Sequence, residues 1–250
     1  YMGSALHSDV DLSYRNLGGK GMISRLPKPG DKIAIAVDST KVSKSGGMII
    51  QNFNFRVYDS AGDIYKGDTY FGFFTRTALA DQVGIREESL YADFKAGKSK
   101  PFPDQAVLPS EPLRMMDTIS VLDMDGGPDK LGFVEGRKQI NPDEWFFKAH
   151  FYQDPVWPGS LGLEAMLQLM QVYAVERWGK AVNGFEFTDT PHEWVYRGQV
   201  IPVDSEVTVQ AIITGVDDET KVLTARGYLS VDGRLIYSMK NFELKITSKG

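Results

Sequence analysis

The sequence contains no cysteine and only three histidines among its 250 residues. The absence of cysteine excludes a disulfide-stabilised fold, a thiolate nucleophile and a zinc site built on sulfur. No stretch approaches the roughly 18 uncharged apolar residues of a membrane-spanning helix, so such a helix is excluded. The formal net charge of −5 leaves no general basic surface, and we expect neither nucleic acid nor a membrane as a partner.

The composition is typical of an ordinary globular protein, with 42% hydrophobic, 24% charged and 12% aromatic residues. The length allows one large domain or two small ones. The first ten residues lack the basic region and the apolar region of a secretory signal peptide. We therefore expect a cytoplasmic protein.

A proline-rich segment divides the sequence into two halves. Lys95–Pro112 contains four prolines, one glycine and three lysines, which neither a regular helix nor a central strand accommodates. This composition predicts an extended linker, which we place at residues 87–114. It separates a strand-rich, non-catalytic unit at residues 1–86 from a second unit at residues 115–250.

Both halves show the pattern of antiparallel strands. A glycine turn at Ser60–Asp63 and another at Val231–Arg234 predict hairpins, and Tyr14–Arg15 in the first half matches Tyr196–Arg197 in the second. The repetition favours a duplicated unit, although any two antiparallel meanders are alike at this level. We predict a short helix at Ala78–Val83. The predicted strands are Asp31–Val37, Gly47–Tyr58, Asp63–Phe74, Val207–Thr214, Lys221–Val231 and Leu235–Ile246.

The segment Pro155–Ala174 carries the most informative pattern. Apolar residues occur on nearly every side of the helix predicted for Ser160–Trp178, which is typical of a buried helix. Glu164 is the only charged residue of the segment. Because an ionised carboxylate buried without a partner is very costly, Glu164 is paired, protonated or functional. The alternative is a first-turn glutamate that the helix dipole stabilises; we favour a functional carboxylate.

His150 precedes this helix, in a stretch that Asp154–Pro155 and Pro158–Gly159 interrupt. The proline–glycine pair is a helix-start signal, and the first backbone N–H groups of a helix stabilise negative charge. A base, an acid and such a backbone together suit proton abstraction next to a carbonyl. A single histidine is more often structural, but this setting favours a catalytic one. Neither His7, in the N-terminal segment, nor His192, which we place on a loop or strand edge, has a comparable setting.

The stretch His150–Gln168, HFYQDPVWPGSLGLEAMLQ, closely resembles the active-site segment of the β-hydroxydecanoyl-acyl-carrier-protein dehydratase family. The resemblance continues through Tyr196–Pro202 and Val231–Tyr237 and covers residues 115–247. The first half is similar to the companion unit of dehydratase domains in polyunsaturated fatty acid synthases, which are themselves polyketide-synthase-like. The residues that carry this second resemblance are Tyr14–Gly21, Ser45–Ile50 and Phe71–Phe74.

The resemblance implies an α+β hotdog fold, in which an antiparallel sheet wraps around a long central helix. The chain would hold two hotdogs in tandem, and the first is expected to be incomplete because no long helix is predicted in it. His150 corresponds to the catalytic histidine of the family, Glu164 to its catalytic carboxylate, and Gly159 to the residue whose N–H binds the thioester carbonyl. The residues expected to bind substrate along the helix are Phe151, Val156, Pro158, Leu163 and Leu167.

The implied activity is that of a hydro-lyase, which converts a (3R)-3-hydroxyacyl thioester to a trans-2-enoyl thioester. Decanoyl-type enzymes usually carry aspartate at the position of Glu164, which leaves their isomerisation to a cis enoyl product open here. No metal or diffusible cofactor is expected, because the phosphopantetheine of an acyl carrier protein carries the substrate. Expected partners are acyl carrier protein domains, neighbouring synthase domains and a second copy of the chain.

Two arrangements of the site and two other functions remain open. In resembling homodimers the histidine of one hotdog faces the carboxylate of its partner. His150 and Glu164 would therefore pair across a dimer, or the partner of His150 would lie upstream of Tyr1.

One alternative function is a hotdog thioesterase, which uses a carboxylate and water and makes His150 incidental. The other is a non-catalytic acyl-binding or scaffold module of a larger synthase.

Overall fold

The computed structural model describes residues 3, 6, 8–95 and 97–247. Its described helices are α1 (Arg76–Ala80), α2 (Trp145–Ala149) and α3 (Gly159–Trp178), with 3-10 turns at Glu111–Leu113 and Gly179–Ala181. The strands are β1 (Ser13–Ile23), β2 (Ala34–Ser45), β3 (Met48–Asp59), β4 (Gly62–Phe74), β5 (Lys100–Pro101), β6 (Thr118–Asp123), β7 (Phe133–Gln139), β8 (Gly184–Glu186), β9 (His192–Tyr196), β10 (Glu206–Asp217), β11 (Val222–Val231) and β12 (Arg234–Thr247).

All the described strands belong to one antiparallel sheet. Its order is β2-β3-β4-β1-β9-β12-β11-β10-β7-β6-β5, and β8 pairs with β12. The two halves of the chain join where Gly18–Gly21 of β1 pairs with residues 192–195 of β9. A Cβ on Gly19 would lie 2.6 Å from Cζ2 of Trp194, so glycine permits the close approach of the two strands. The junction is thus a continuous part of the sheet.

Helix α3 forms the core of the second half, as predicted. Ala165, Met166, Leu169 and Tyr173 are fully buried against the sheet. The helix begins at Gly159, one residue before the predicted start. One stripe is only half buried, and its members are Leu163, Glu164, Leu167, Gln171 and Val175. The sheet therefore covers most of the helix but not this stripe.

The hairpins β3–β4 and β11–β12 form at the two predicted glycine turns. Two predictions in the first half were wrong in their limits. The strand predicted at Asp31–Val37 is Ala34–Ser45, because it pairs along its whole length with β3 and continues beyond the apolar residues. The short helix spans Arg76–Ala80 rather than Ala78–Val83, because the Thr75 hydroxyl caps it by accepting from the Ala78 N–H.

The proline-rich segment is extended, but it is not a free tether. Phe102 and Leu108 are 4% and 6% exposed and belong to the core of the second half. The preceding residues pack on the other face of the sheet, where Tyr91 and Phe94 contact Phe133. The irregular backbone of this segment therefore covers both faces of the second half.

In the described part of the first half, the four strands carry no long helix, and α1 has only five residues. Strand β2 lies at the edge of the sheet, and its Ile35 and Val37 are 65% and 55% exposed. An uncovered apolar edge of this kind favours association with another surface, which stays a prediction for this chain. Among the described residues, no helix is both long and apolar enough to cross a bilayer.

Candidate active site

A cavity of about 340 Å³ lies where the two halves meet. The first half contributes aromatic side chains from β1 and β4, and the second half contributes the start of α3 and parts of β9 and β12. The lining residues are Tyr14, Arg15, Asn16, Tyr65, Phe71, His150, Phe151, Val156, Trp157, Pro158, Gly159, Ser160, Leu163, Trp194, Tyr196, Gly198, Gln199 and Tyr237. An apolar cavity with a few polar groups is the usual form of a small-molecule site.

His150 lies at the C-terminal end of α2, at the wall of this cavity. Its Nδ1 is 3.1 Å from the Val156 carbonyl oxygen. Because a carbonyl oxygen only accepts hydrogen bonds, Nδ1 carries the proton and donates a hydrogen bond to the Val156 carbonyl. The lone pair of the neutral ring is then on Nε2. This contact is compatible with the tautomer that a general base needs, and the base role of His150 stays a prediction.

The start of α3 has backbone N–H groups that no side chain caps. Pro158 precedes the helix. The first N–H groups of a helix have no acceptor within the helix, so the Gly159 N–H is available to a ligand in the cavity. A Cβ at Gly159 would lie 2.8 Å from Cζ of Tyr196, and glycine is therefore required beside that ring.

Most of the predicted site residues line this one cavity: His150, Phe151, Val156, Pro158, Gly159 and Leu163. Leu167 and Glu164 do not. Both lie on the half-buried stripe of α3, whose member Leu163 lines the cavity whereas Glu164 and Leu167 do not. Leu167 lies one turn, about 6 Å, farther along the same face of α3 as Leu163, and its contact with substrate stays a prediction.

Glu164 has a different environment. Its Oε1 accepts a hydrogen bond of 3.1 Å from Nε2 of Gln168. The same amide group bonds the backbone of Leu113 and Met115, at the end of the proline-rich segment. Burial raises the pKa of the Glu164 carboxyl, and the bond from Gln168 opposes this effect. None of the described residues that line the His150 cavity carries a carboxylate.

The raised pKa of Glu164 predicts how one substitution affects stability. The folded state holds the carboxyl proton more tightly than the unfolded state, so ionisation costs stability as pH rises above about 4.3. Glu164→Gln removes this cost. We expect the free energy of unfolding of the variant, relative to the unsubstituted chain, to rise between pH 4 and pH 8. Each unit of pKa shift corresponds to about 1.4 kcal/mol. Urea unfolding at both pH values measures the difference; a pH-independent difference would contradict the burial of an acid.

The part of the cavity that the first half provides was not predicted from the sequence. Tyr14 stacks on Phe71 at 4.9 Å and meets the edge of Phe151 at 6.3 Å. Burial raises the pKa of Tyr14 to about 12, so its hydroxyl stays protonated at neutral pH. Arg15 is buried beside it. The repeated Tyr–Arg pair was the available signal, and Tyr14–Arg15 lies within β1.

His192 is not on a loop or at a sheet edge, because it begins the interior strand β9. Its ring stacks on Tyr65, whose hydroxyl lies 3.4 Å from His192 Nε2. Burial lowers the pKa of the imidazole, which favours the neutral form of the ring. The residue does not line the cavity. His7 lies outside the described residues.

Comparison with known proteins identifies the family of this chain. A model of FabA-like domains matches residues 108–240, more than half of the sequence. The chain belongs to the FabA-like domain family. It is also 28% identical, over 271 aligned positions, to one subunit of the polyunsaturated fatty acid synthase of Thraustochytrium sp. (strain ATCC 26185 / S-3). That alignment covers 95% of this chain but 18% of the relative, so the chain spans less than a fifth of that protein.

Solved structures share the fold of this FabA-like chain at low identity. A MaoC-like dehydratase has a TM-score of 0.50 and 11% identity, covering 99% of this chain and 80% of that protein. The tesB protein of Mycobacterium avium subs paratuberculosis has a TM-score of 0.57 and 12% identity, with coverages of 97% and 82%. The acyl-CoA thioesterase II TesB2 of Mycobacterium marinum has a TM-score of 0.53 and 11% identity, covering 96% of this chain and 84% of that protein. These likenesses support the hotdog fold alone.

Proposed function

We propose that this FabA-like chain dehydrates (3R)-3-hydroxyacyl thioesters, carried on an acyl carrier protein, to trans-2-enoyl thioesters. The observation that carries the proposal is the contact of His150 Nδ1 with the Val156 carbonyl beside an uncapped helix start, in one cavity lined by aromatic side chains. A base with a free nitrogen and a backbone N–H donor are the two groups that proton abstraction next to a thioester carbonyl requires.

In the proposed reaction, Nε2 of His150 takes a proton from C2 of the substrate. The negative charge that develops on the thioester oxygen is stabilised by the Gly159 N–H. The electron pair then forms the C2–C3 double bond, and the C3–O bond breaks. The leaving hydroxyl takes a proton from a carboxylic acid and departs as water. The raised pKa of Glu164 favours the protonated form that this last step needs.

We propose that a second copy of the chain supplies this acid. Glu164 lies outside the His150 cavity of its own chain, on the half-buried stripe of α3. Apolar neighbours on that stripe, Leu163 and Leu167, provide a surface for another hotdog. Such an arrangement brings His150 of one copy towards the carboxylate of the other. A homodimer is the symmetric assembly that satisfies this condition twice.

The proposed setting is a multidomain synthase for polyunsaturated fatty acids. The relative that belongs to a polyunsaturated fatty acid synthase extends far beyond the aligned part. Acyl carrier protein domains and neighbouring synthase domains are therefore the proposed partners, with the substrate on phosphopantetheine and no other cofactor. A cytoplasmic location goes with this setting and stays a prediction.

Mass spectrometry of the products from a 3-hydroxyacyl thioester tests the proposal. We expect loss of one water and an enoyl thioester, and chromatography separates trans-2 from cis isomers. A cis product would show that the site also moves the double bond, by removing a C4 proton and returning one to C2. Release of the free acid would identify a thioesterase instead. Unchanged substrate that binds the chain would identify an acyl-binding module and overturn the proposed dehydration.

A further inference from the structure

Arg15 of the first half makes a dense set of contacts at the edge of the cavity. It is 8% exposed and lies on β1. Its Nη1 and Nη2 donate to the two carboxylate oxygens of Asp154 at 2.7 and 2.8 Å, and its Nε donates to Oε1 of Gln199 at 2.8 Å. A guanidinium that forms two parallel bonds with a carboxylate fixes orientation as well as distance. Asp154 is therefore held rigidly relative to β1.

Asp154 belongs to the loop that orients His150. Its backbone N–H and carbonyl bond Phe151 at 3.3 and 3.2 Å, and the Val156 N–H donates to the His150 carbonyl at 2.9 Å. The Val156 carbonyl in turn accepts from the His150 ring. The loop is thus a closed set of hydrogen bonds from Asp154 to the imidazole. The Arg15 side chain attaches this set to the other half of the molecule.

The matching arginine of the second half shows what is particular to Arg15. Nη1 of Arg15 bonds the carbonyl of Tyr14, and Nη1 of Arg197 bonds that of Tyr196, each at 2.8 Å. Arg197 also crosses the junction, to the Leu17 carbonyl at 2.8 Å and the Tyr70 hydroxyl at 3.1 Å. Its described hydrogen bonds do not include the loop that carries His150. Arg197 is exposed whereas Arg15 is buried, so Arg197 is a control for the loss of an arginine that crosses the junction.

We propose that Arg15 is a positioning residue for His150, acting through Asp154 and the loop that follows α2. This inference rests on the proposed function, in which His150 is the base. In this proposal, Arg15 transfers no proton, and the strand-rich first half stays non-catalytic in that sense. It is nevertheless required for turnover, because it holds the catalytic loop in the geometry that proton transfer needs.

Variants of the whole chain test this role by kinetics. We expect Arg15→Gln and Asp154→Asn each to lower kcat for dehydration by about 100-fold with little change in KM, because a small displacement of a base is enough for such a loss. The double variant should lose little more than either single variant, since both break one contact. Arg15→Lys keeps the charge but not the two paired hydrogen bonds, so its kcat should lie between those of the unsubstituted chain and Arg15→Gln. Arg197→Gln should keep kcat within about threefold.

Side-chain NMR of His150 tests the positioning without substrate. In the unsubstituted chain, the ring nitrogen shifts should report a single tautomer protonated on Nδ1. Arg15→Gln should broaden these signals or mix the tautomers, whereas Arg197→Gln should leave them unchanged. An unchanged His150 spectrum in Arg15→Gln, or equal losses of kcat in the two arginine variants, would overturn the positioning role. If the unsubstituted chain fails to dehydrate but the NMR differences appear, the proposed function fails while the positioning of His150 stands.

Discussion

His150→Gln is expected to lower the rate of dehydration by about 10²–10⁴-fold, the usual contribution of a general base. Glutamine can still donate to the Val156 carbonyl, but it offers no basic nitrogen to the cavity. The fold should survive because His150 is only half buried and lies outside the main core. The measurement is steady-state formation of the enoyl thioester, with circular dichroism to verify folding.

His192→Gln is the matched control for that experiment. It makes the same chemical change at a histidine that packs on Tyr65 but does not line the cavity. We expect its turnover to stay within about threefold of the unsubstituted chain. Unchanged dehydration by a folded His150→Gln variant would remove the base from the mechanism, and an equal loss in both variants would indicate general damage.

Mixed dimers of His150→Gln and Glu164→Gln are expected to regain activity that neither variant has alone. If each site takes its histidine from one copy and its acid from the other, a mixed dimer contains one intact site and one doubly substituted site. The purified mixed dimer should then have about one half of the activity of the unsubstituted dimer. The variants are coexpressed with different affinity tags, and the doubly tagged species is assayed after two purification steps.

The mixing experiment has its own internal control. Two differently tagged copies of His150→Gln, purified in the same way, should remain inactive because every site lacks its base. If doubly tagged dimers of the two different variants are also inactive, Glu164 does not supply the acid across a dimer. Glu164→Gln with full activity on its own would show that the leaving hydroxyl takes its proton from another group.

Much of the second half could be predicted from the sequence because its signals are local. The apolar residues on all sides of α3 require a buried helix, and Pro158 followed by glycine marks the start of that helix. The glycine turn before β12 fixes a hairpin. His150 and the start of α3 are close in sequence, and the prolines and glycine between them predicted the turn that brings both to one cavity.

The parts that could not be predicted depend on contacts between distant residues. Arg15 and Asp154 form their ion pair only because β1 joins β9 in the sheet. The direction of Glu164 depends on its bond to Gln168, and this amide is held by the proline-rich segment. Composition showed that this segment is extended. It did not show that Phe102 and Leu108 enter the core, because single apolar residues among prolines give no periodic signal.

The sharing of one cavity between β1 and α3 limits how the two halves can be exchanged between related FabA-like chains. A chimera cut in the proline-rich segment would combine Tyr14 and Arg15 of one parent with His150 and Asp154 of the other. The two parents would then need compatible aromatic residues around the cavity and a compatible arginine–aspartate ion pair. Exchange of the two halves as one cassette keeps these contacts. We therefore expect the contacting residues of the two halves to change together in evolution.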